Sequence, residues 1–85
     1  MFPLMRAYVL IQIETGHEMD ITKGNAMSAG LSSFKGVIHA DVVHGAFDVV
    51  AVLEGDPKTI DETIIKIRNI PNVKRTESLI TFFAD

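Results

Sequence analysis

Between Gly36 and Glu54 two apolar runs, Val37 to Val43 and Phe47 to Leu53, flank His44-Gly45-Ala46. Runs rich in valine, isoleucine and phenylalanine favour strands, and a glycine between them supplies the backbone freedom of a tight reversal, so the stretch reads as one hairpin. Gly36 opens its first strand and Gly55-Asp56-Pro57 closes its second. The segments before and after it look like two copies of one strand-helix unit. That places the hairpin at the centre of a single small sheet.

From Arg6 to Glu14, Ala7, Val9, Ile11 and Ile13 alternate with Tyr8, Leu10 and Gln12, the period of a strand with one strongly apolar face. Met1 to Met5 reads as a lightly packed end and Thr15-Gly16-His17-Glu18 as a loop. Asp20 is the expected N-cap of a helix running to about Phe34, with Met27, Leu31 and Phe34 as its buried stripe. Gly24 and Gly30 each cost that helix about 1 kcal/mol relative to alanine. Packing must therefore hold it, and Gly24, Ala26, Ser28 and Ala29 allow a neighbour to approach closely. Asp56 and Pro57 begin a second helix, in which Ile60, Ile64 and Ile67 share a face and Asp61, Glu62, Lys66 and Arg68 lie mostly away from it. Pro71-Asn72 stops it. Val73 to Phe83 is the last strand, with Thr76, Ser78, Ile80 and Phe82 on one face and Glu77, Leu79, Thr81 and Phe83 on the other.

The order is strand, helix, strand, strand, helix, strand, and Phe34-Lys35-Gly36-Val37 and Ile70-Pro71-Asn72-Val73 occupy equivalent helix-to-strand corners. Right-handed crossovers then interleave the strands into a four-stranded antiparallel sheet with both helices on one face, the ferredoxin-like βαββαβ arrangement of the α+β class. The other face carries Tyr8, Leu10 and apolar members of the remaining strands. It is expected to pair with a second sheet in a homodimer, a dimeric α/β sandwich.

The 85 residues make one domain, 1–85, and 47% hydrophobic residues with a mean hydropathy of +0.24 are high for so short a chain. No apolar run approaches the roughly 20 residues needed to cross a bilayer, and no small-residue cleavage site follows the N-terminal stretch. A cytoplasmic location is expected. The absence of cysteine excludes a disulfide frame, a thiolate metal site and a cysteine nucleophile. A net charge of −3 argues against direct nucleic-acid binding; Lys66, Arg68, Lys74 and Arg75 bunch along one segment, but cations near a helix C-terminus have a structural reason to be there.

His39 and Asp41, two apart on a strand, point to one face and could form an acid-base pair or, with His44 or His17, part of a metal site. No third ligand is visible, and surface histidines are the commoner explanation. Nothing resembles a serine triad or a phosphate-cradling glycine loop, so no catalytic, metal or cofactor residue is assigned. The hairpin tip, His44 to Asp48, says more. Gly45 lets a backbone come close to a ligand, Phe47 offers an apolar wall, and Asp48 offers an acceptor for an ammonium group or a backbone N–H. Equally, Asp48 could simply fasten the loop.

The run from Gly36-Val37 through Gly45-Ala46-Phe47-Asp48-Val49-Val50, then a capped helix and Val73-Lys74-Arg75-Thr76-Glu77-Ser78-Leu79-Ile80, resembles the C-terminal effector (RAM) domain of Lrp/AsnC transcriptional regulators. The resemblance covers Arg6 to Phe82; its most specific parts are the Gly-x-aromatic-Asp turn and Thr76-Glu77-Ser78. It implies dimers joined through their sheets, octameric or decameric rings of dimers, and an amino-acid effector bound between dimers. The binding residues it implies are Gly45, Ala46, Phe47, Asp48, Thr76 and Ser78. Regulators of this family carry a helix-turn-helix domain, whereas about five residues precede the first strand here. The expectation is therefore a non-enzymatic sensing module without its own DNA-binding domain, free to mix with full-length regulators. The rival is a small dimeric barrel enzyme of the same fold, with a histidine such as His39 as acid or base on a small organic substrate between two sheets.

Overall fold

Alternation along the first strand decides where the core lies. Ala7, Val9, Ile11 and Ile13 are buried while Arg6, Tyr8, Leu10 and Gln12 between them keep partial exposure. The computed structural model describes residues 4–14 and 21–81. In chain order the elements are β1 (Met5–Ile13), α1 (Ile21–Leu31), β2 (Val37–Val42), β3 (Val49–Gly55), α2 (Pro57–Arg68) and β4 (Val73–Ile80). They form a four-stranded antiparallel sheet in the order β2-β3-β1-β4. This is the expected ferredoxin-like α+β fold.

One face of that sheet makes the core. Val49, Ala51 and Leu53 of β3 lie opposite Ile11, Val9 and Ala7 of β1, and Leu31 of α1 with Ile60, Ile64 and Ile67 of α2 close over them. Full burial of each such branched side chain contributes roughly 1.5–3 kcal/mol. The apolar stripe of α2 reads directly from the isoleucine spacing, and Pro57 sits in its first turn as its fixed φ and missing N–H allow. The helix is also tied sideways: the buried Thr63 hydroxyl donates to Lys35 O at 2.6 Å. Where α1 crosses β2 its small residues matter. A Cβ on Gly24 would lie 3.3 Å from Val42 Cγ1, and the Ser28 hydroxyl donates to Ala40 O at 2.9 Å.

The internal repeat is repeated bond for bond at the two helix-to-strand corners. Gly36 and Asn72 both take a left-handed backbone, at φ +89° and +74°. Phe34 N–H donates to Leu31 O and Val37 N–H to Phe34 O; in the second corner Ile70 N–H donates to Ile67 O and Val73 N–H to Ile70 O, all between 2.9 and 3.2 Å.

Three expectations need adjustment. Helix α1 ends at Leu31, and the chain reaches Phe34 through tighter turns in which Ser33 bonds Gly30 O. The hairpin connection is longer than a tight reversal, running from Val43 to Asp48 between β2 and β3. Strand β4 ends at Ile80. The Asp20 cap, the loop at 15–18 and the chain beyond Thr81 lie outside the described residues.

Candidate functional site

The length of the β2–β3 loop has a cause in β1. Asp48, just before β3, extends the β1–β3 ladder by one residue: its N–H donates to Ile11 O at 2.9 Å, and its carboxylate Oδ2 accepts the Ile13 N–H at 2.8 Å. A charged acceptor on a backbone N–H makes a strong anchor. Val43 N–H donates to Asp48 O at 2.9 Å and closes the loop behind it. Asp48 thus fastens the loop, with its second carboxylate oxygen left over.

Beside it, Phe47 lies under the last strand's guanidinium, with Arg75 Cζ 5.3 Å from the ring centroid. Such a contact contributes about 0.5–1 kcal/mol near the surface. Together the two attachments carry the loop over the end of β1 to the first residues of β4. Gly45 and Ala46 stand exposed at its tip. Gly45 has φ +158°, a backbone conformation that residues with a side chain rarely adopt, and among the described residues nothing beyond its chain neighbours lies within 4 Å of where its Cβ would be.

Thr76 and Ser78 are placed by register. They lie opposite Ile11 and Val9, whose side chains are in the core, so both hydroxyls belong to the helix side of the sheet, whereas Arg75, opposite Gln12, belongs to the open side. The structure brings Phe47 to Arg75, next in the chain to Thr76. Ser78 is a step further along, its Oγ buried and without a hydrogen-bond partner among the described residues. An unpaired buried hydroxyl costs roughly 1–3 kcal/mol. Arg75 is the residue that sequence reading passed over, grouped with other cations at a helix end; that it forms a cross-strand pair with Gln12, beside the loop, is a long-range fact.

The histidine candidates remain apart. His39 Nε2 and Asp41 Oδ2 are 2.9 Å apart on the edge strand β2, their side chains about 60% exposed. His44 is exposed on the loop, and His17 lies outside the described residues. No group of three or more histidine, aspartate or glutamate side chains is arranged to hold a metal among the described residues. On the same open face Tyr8 pairs with Val52 and Leu79, and Leu10 with Val50, an apolar group flanked by Glu77 on β4, by His39 and Asp41 on β2, and at one end by the Arg6–Glu54 ion pair at 2.6 Å.

Two recesses mark the surface near the loop's end of the sheet. An apolar cleft of about 340 Å³ lies between α1 and the second corner, lined by Ile13, Met27, Leu31, Phe34 and Ile70 among others. A polar recess of about 430 Å³ lies at the α2–β4 corner, lined by Arg68, Asn69, Val73, Lys74, Arg75 and Thr76. No helix among the described residues is long and apolar enough to cross a membrane.

No family model and no curated protein matches the chain. Solved structures do. The chain is similar to FFRP-DM1, with a TM-score of 0.75 and 28% identity over 92% of this chain and 99% of that one. It is similar to AsnC of E. coli, with a TM-score of 0.76 and 18% identity over 94% of this chain and 52% of that one. A transcriptional regulator of Neisseria meningitidis, solved as a complex with L-Met, matches with a TM-score of 0.69 and 14% identity over 92% of this chain and 49% of the regulator. The chain spans about half the length of these last two and shares the fold of that half.

Proposed function

We propose that the chain is an amino-acid-sensing and oligomerising module of the Lrp/AsnC type, acting in the cytoplasm on transcription without contacting nucleic acid itself and without catalysing a reaction. The observation that carries this reading is the attachment of the β2–β3 loop: Asp48 bonded to Ile11 and Ile13, and Phe47 under Arg75. It brings the glycine-containing turn to the part of β4 that holds Thr76. In this reading the free Asp48 oxygen takes the effector's ammonium group. Backbone amides of Gly45, Ala46 and Phe47, with the hydroxyl of Thr76, take its carboxylate, and Phe47 walls its side chain. Ser78, on the same face of β4 and with its hydroxyl unpaired among the described residues, adds a second hydroxyl for the ligand.

Two further features support assembly. The apolar open face around Tyr8, Leu10, Val50, Val52 and Leu79 suits a second copy of the same sheet. The tip at Gly45 and Ala46 is exposed and open around Gly45, which suits a site completed by a neighbouring dimer in an octamer or decamer. Full-length regulators with the same fold would be compatible members of mixed rings.

A thermal-shift panel of the twenty amino acids tests the reading. A ligand at one hundred times its dissociation constant adds about 2.7 kcal/mol, a shift of roughly 10 °C or more for a domain this small. One or a few amino acids should produce it. Indifference to all twenty would overturn the assignment.

A further inference from the structure

The recess at the α2–β4 corner has a charge that the chain as a whole does not. Arg68, Lys74 and Arg75 line it, in a protein whose net charge is −3. A helix C-terminus explains only part of this. Lys66 and Arg68 lie in the last turn of α2, where cations oppose the helix dipole, but Asn69 already serves the final carbonyls: its N–H reaches Ile65 O and Lys66 O, and its Nδ2 reaches Ile65 O at 3.0 Å. Lys74 and Arg75 lie beyond the helix altogether.

Their positions are set by a defect in the sheet. Gln12 pairs with Arg75, but Ile13 pairs with Val73, so the register steps over Lys74 as a bulge residue. Bulges re-aim side chains and collect beside functional sites. Among the described residues the nearest carboxylate to Arg75 is that of Glu77, at 3.7 Å with both side chains more than half exposed, a contact that contributes little. The strand itself adds donors. Thr81 N–H bonds to Arg6 O across the β1–β4 pair, so by antiparallel alternation Leu79, Glu77 and Arg75 turn their backbone groups to β1. By the same alternation Thr76 turns its N–H outward along the open edge of the sheet, and Thr76 is among the residues that line the recess. Arg75 finally joins this recess to the β2–β3 loop, since its guanidinium rests on Phe47.

We infer that the effector is an acidic amino acid, its side-chain carboxylate taken by the recess of Arg68, Lys74, Arg75 and the Thr76 N–H while its ammonium and α-carboxylate groups are held at the β2–β3 loop. The inference rests on the function proposed above and specifies its ligand class. Guanidinium groups hold carboxylates through paired hydrogen bonds, and a bulge lysine adds a mobile point charge; a carboxamide of the same shape offers both of them one acceptor oxygen and no charge, and so gains less. Selection against the amide is therefore the signature.

Isothermal titration calorimetry of the whole chain with L-aspartate, L-glutamate, L-asparagine and L-glutamine, at one fixed ionic strength, tests it. One acid should bind at least about tenfold more tightly than its own amide. The exposed-site variants Arg68→Gln and Lys74→Gln should lower the acid's affinity more than the amide's and so shrink that ratio. Equal binding of acid and amide, or preference for a neutral amino acid, would overturn the acidic assignment while leaving the sensing role standing. Binding of inorganic phosphate in the recess with no preference among the four amino acids would overturn it too. No binding by any of the twenty amino acids would overturn both.

Discussion

Asn72 holds a backbone angle that L-residues other than glycine, asparagine and aspartate avoid, at φ +74°, in the corner whose twin uses Gly36. Asn72→Ala should therefore cost about 1–2 kcal/mol in urea unfolding, while Asn72→Gly should be close to neutral. The reverse order would mean that the corner does not need the left-handed turn. Asp48 presents a different question, because one carboxylate is asked both to fasten a loop and to bind. Asp48→Ala orphans the Ile13 N–H and should destabilise the fold by about 1–3 kcal/mol. Asp48→Asn keeps an acceptor for that N–H and loses the charge. It should melt within a few degrees of the parent chain and lose most of its amino-acid affinity, as read by calorimetry; undiminished affinity would remove Asp48 from the site. From sequence, fastening and binding weighed equally, since nothing local in His44 to Asp48 reveals that β1 supplies the bonding partners.

The two helices differ in how much of them the sequence shows. In α2 the isoleucine period, Asp56 and Pro57 fix the element and its buried face locally. In α1 two glycines weaken the pattern, and the reason for one of them lies on strand β2: Gly24 sits against Val42, whereas among the described residues nothing lies within 4 Å of a Cβ at Gly30 beyond the helix itself and its chain neighbours. Gly30→Ala should accordingly raise the melting temperature by several degrees, the worth of about 1 kcal/mol of helix propensity, and Gly24→Ala should gain less or lose. The start of α2 offers a pH signature. The Asp56 carboxylate makes no side-chain bond to a first-turn amide, yet the Thr59 side chain holds it below its ordinary value of 3.8. A carboxyl depressed in the folded state stabilises above the unfolded value and loses that contribution as pH falls through the folded one. Asp56→Asn should flatten the acid limb of a melting curve measured from about pH 5 downward; an unchanged limb would contradict it.

For the molecule as a whole, alternation and the repeat made the sheet, its two faces and the helix layer legible, and put Thr76 and Ser78 on one face of β4; that this is the helix side follows only from register. What stayed hidden was the relation between distant strands. The Lys74 bulge, the Phe47–Arg75 contact and the meeting of loop and β4 all depend on register, which no window of sequence contains. The open face and the exposed Gly45 tip are where the proposed assembly would add contacts that a single chain lacks. Native mass spectrometry of the purified chain, with and without each amino acid, is the most direct measurement of that claim. Even-numbered assemblies that carry bound amino acid, or change size with it, are the predicted result. A species of one fixed size that retains none of the twenty would contradict the account.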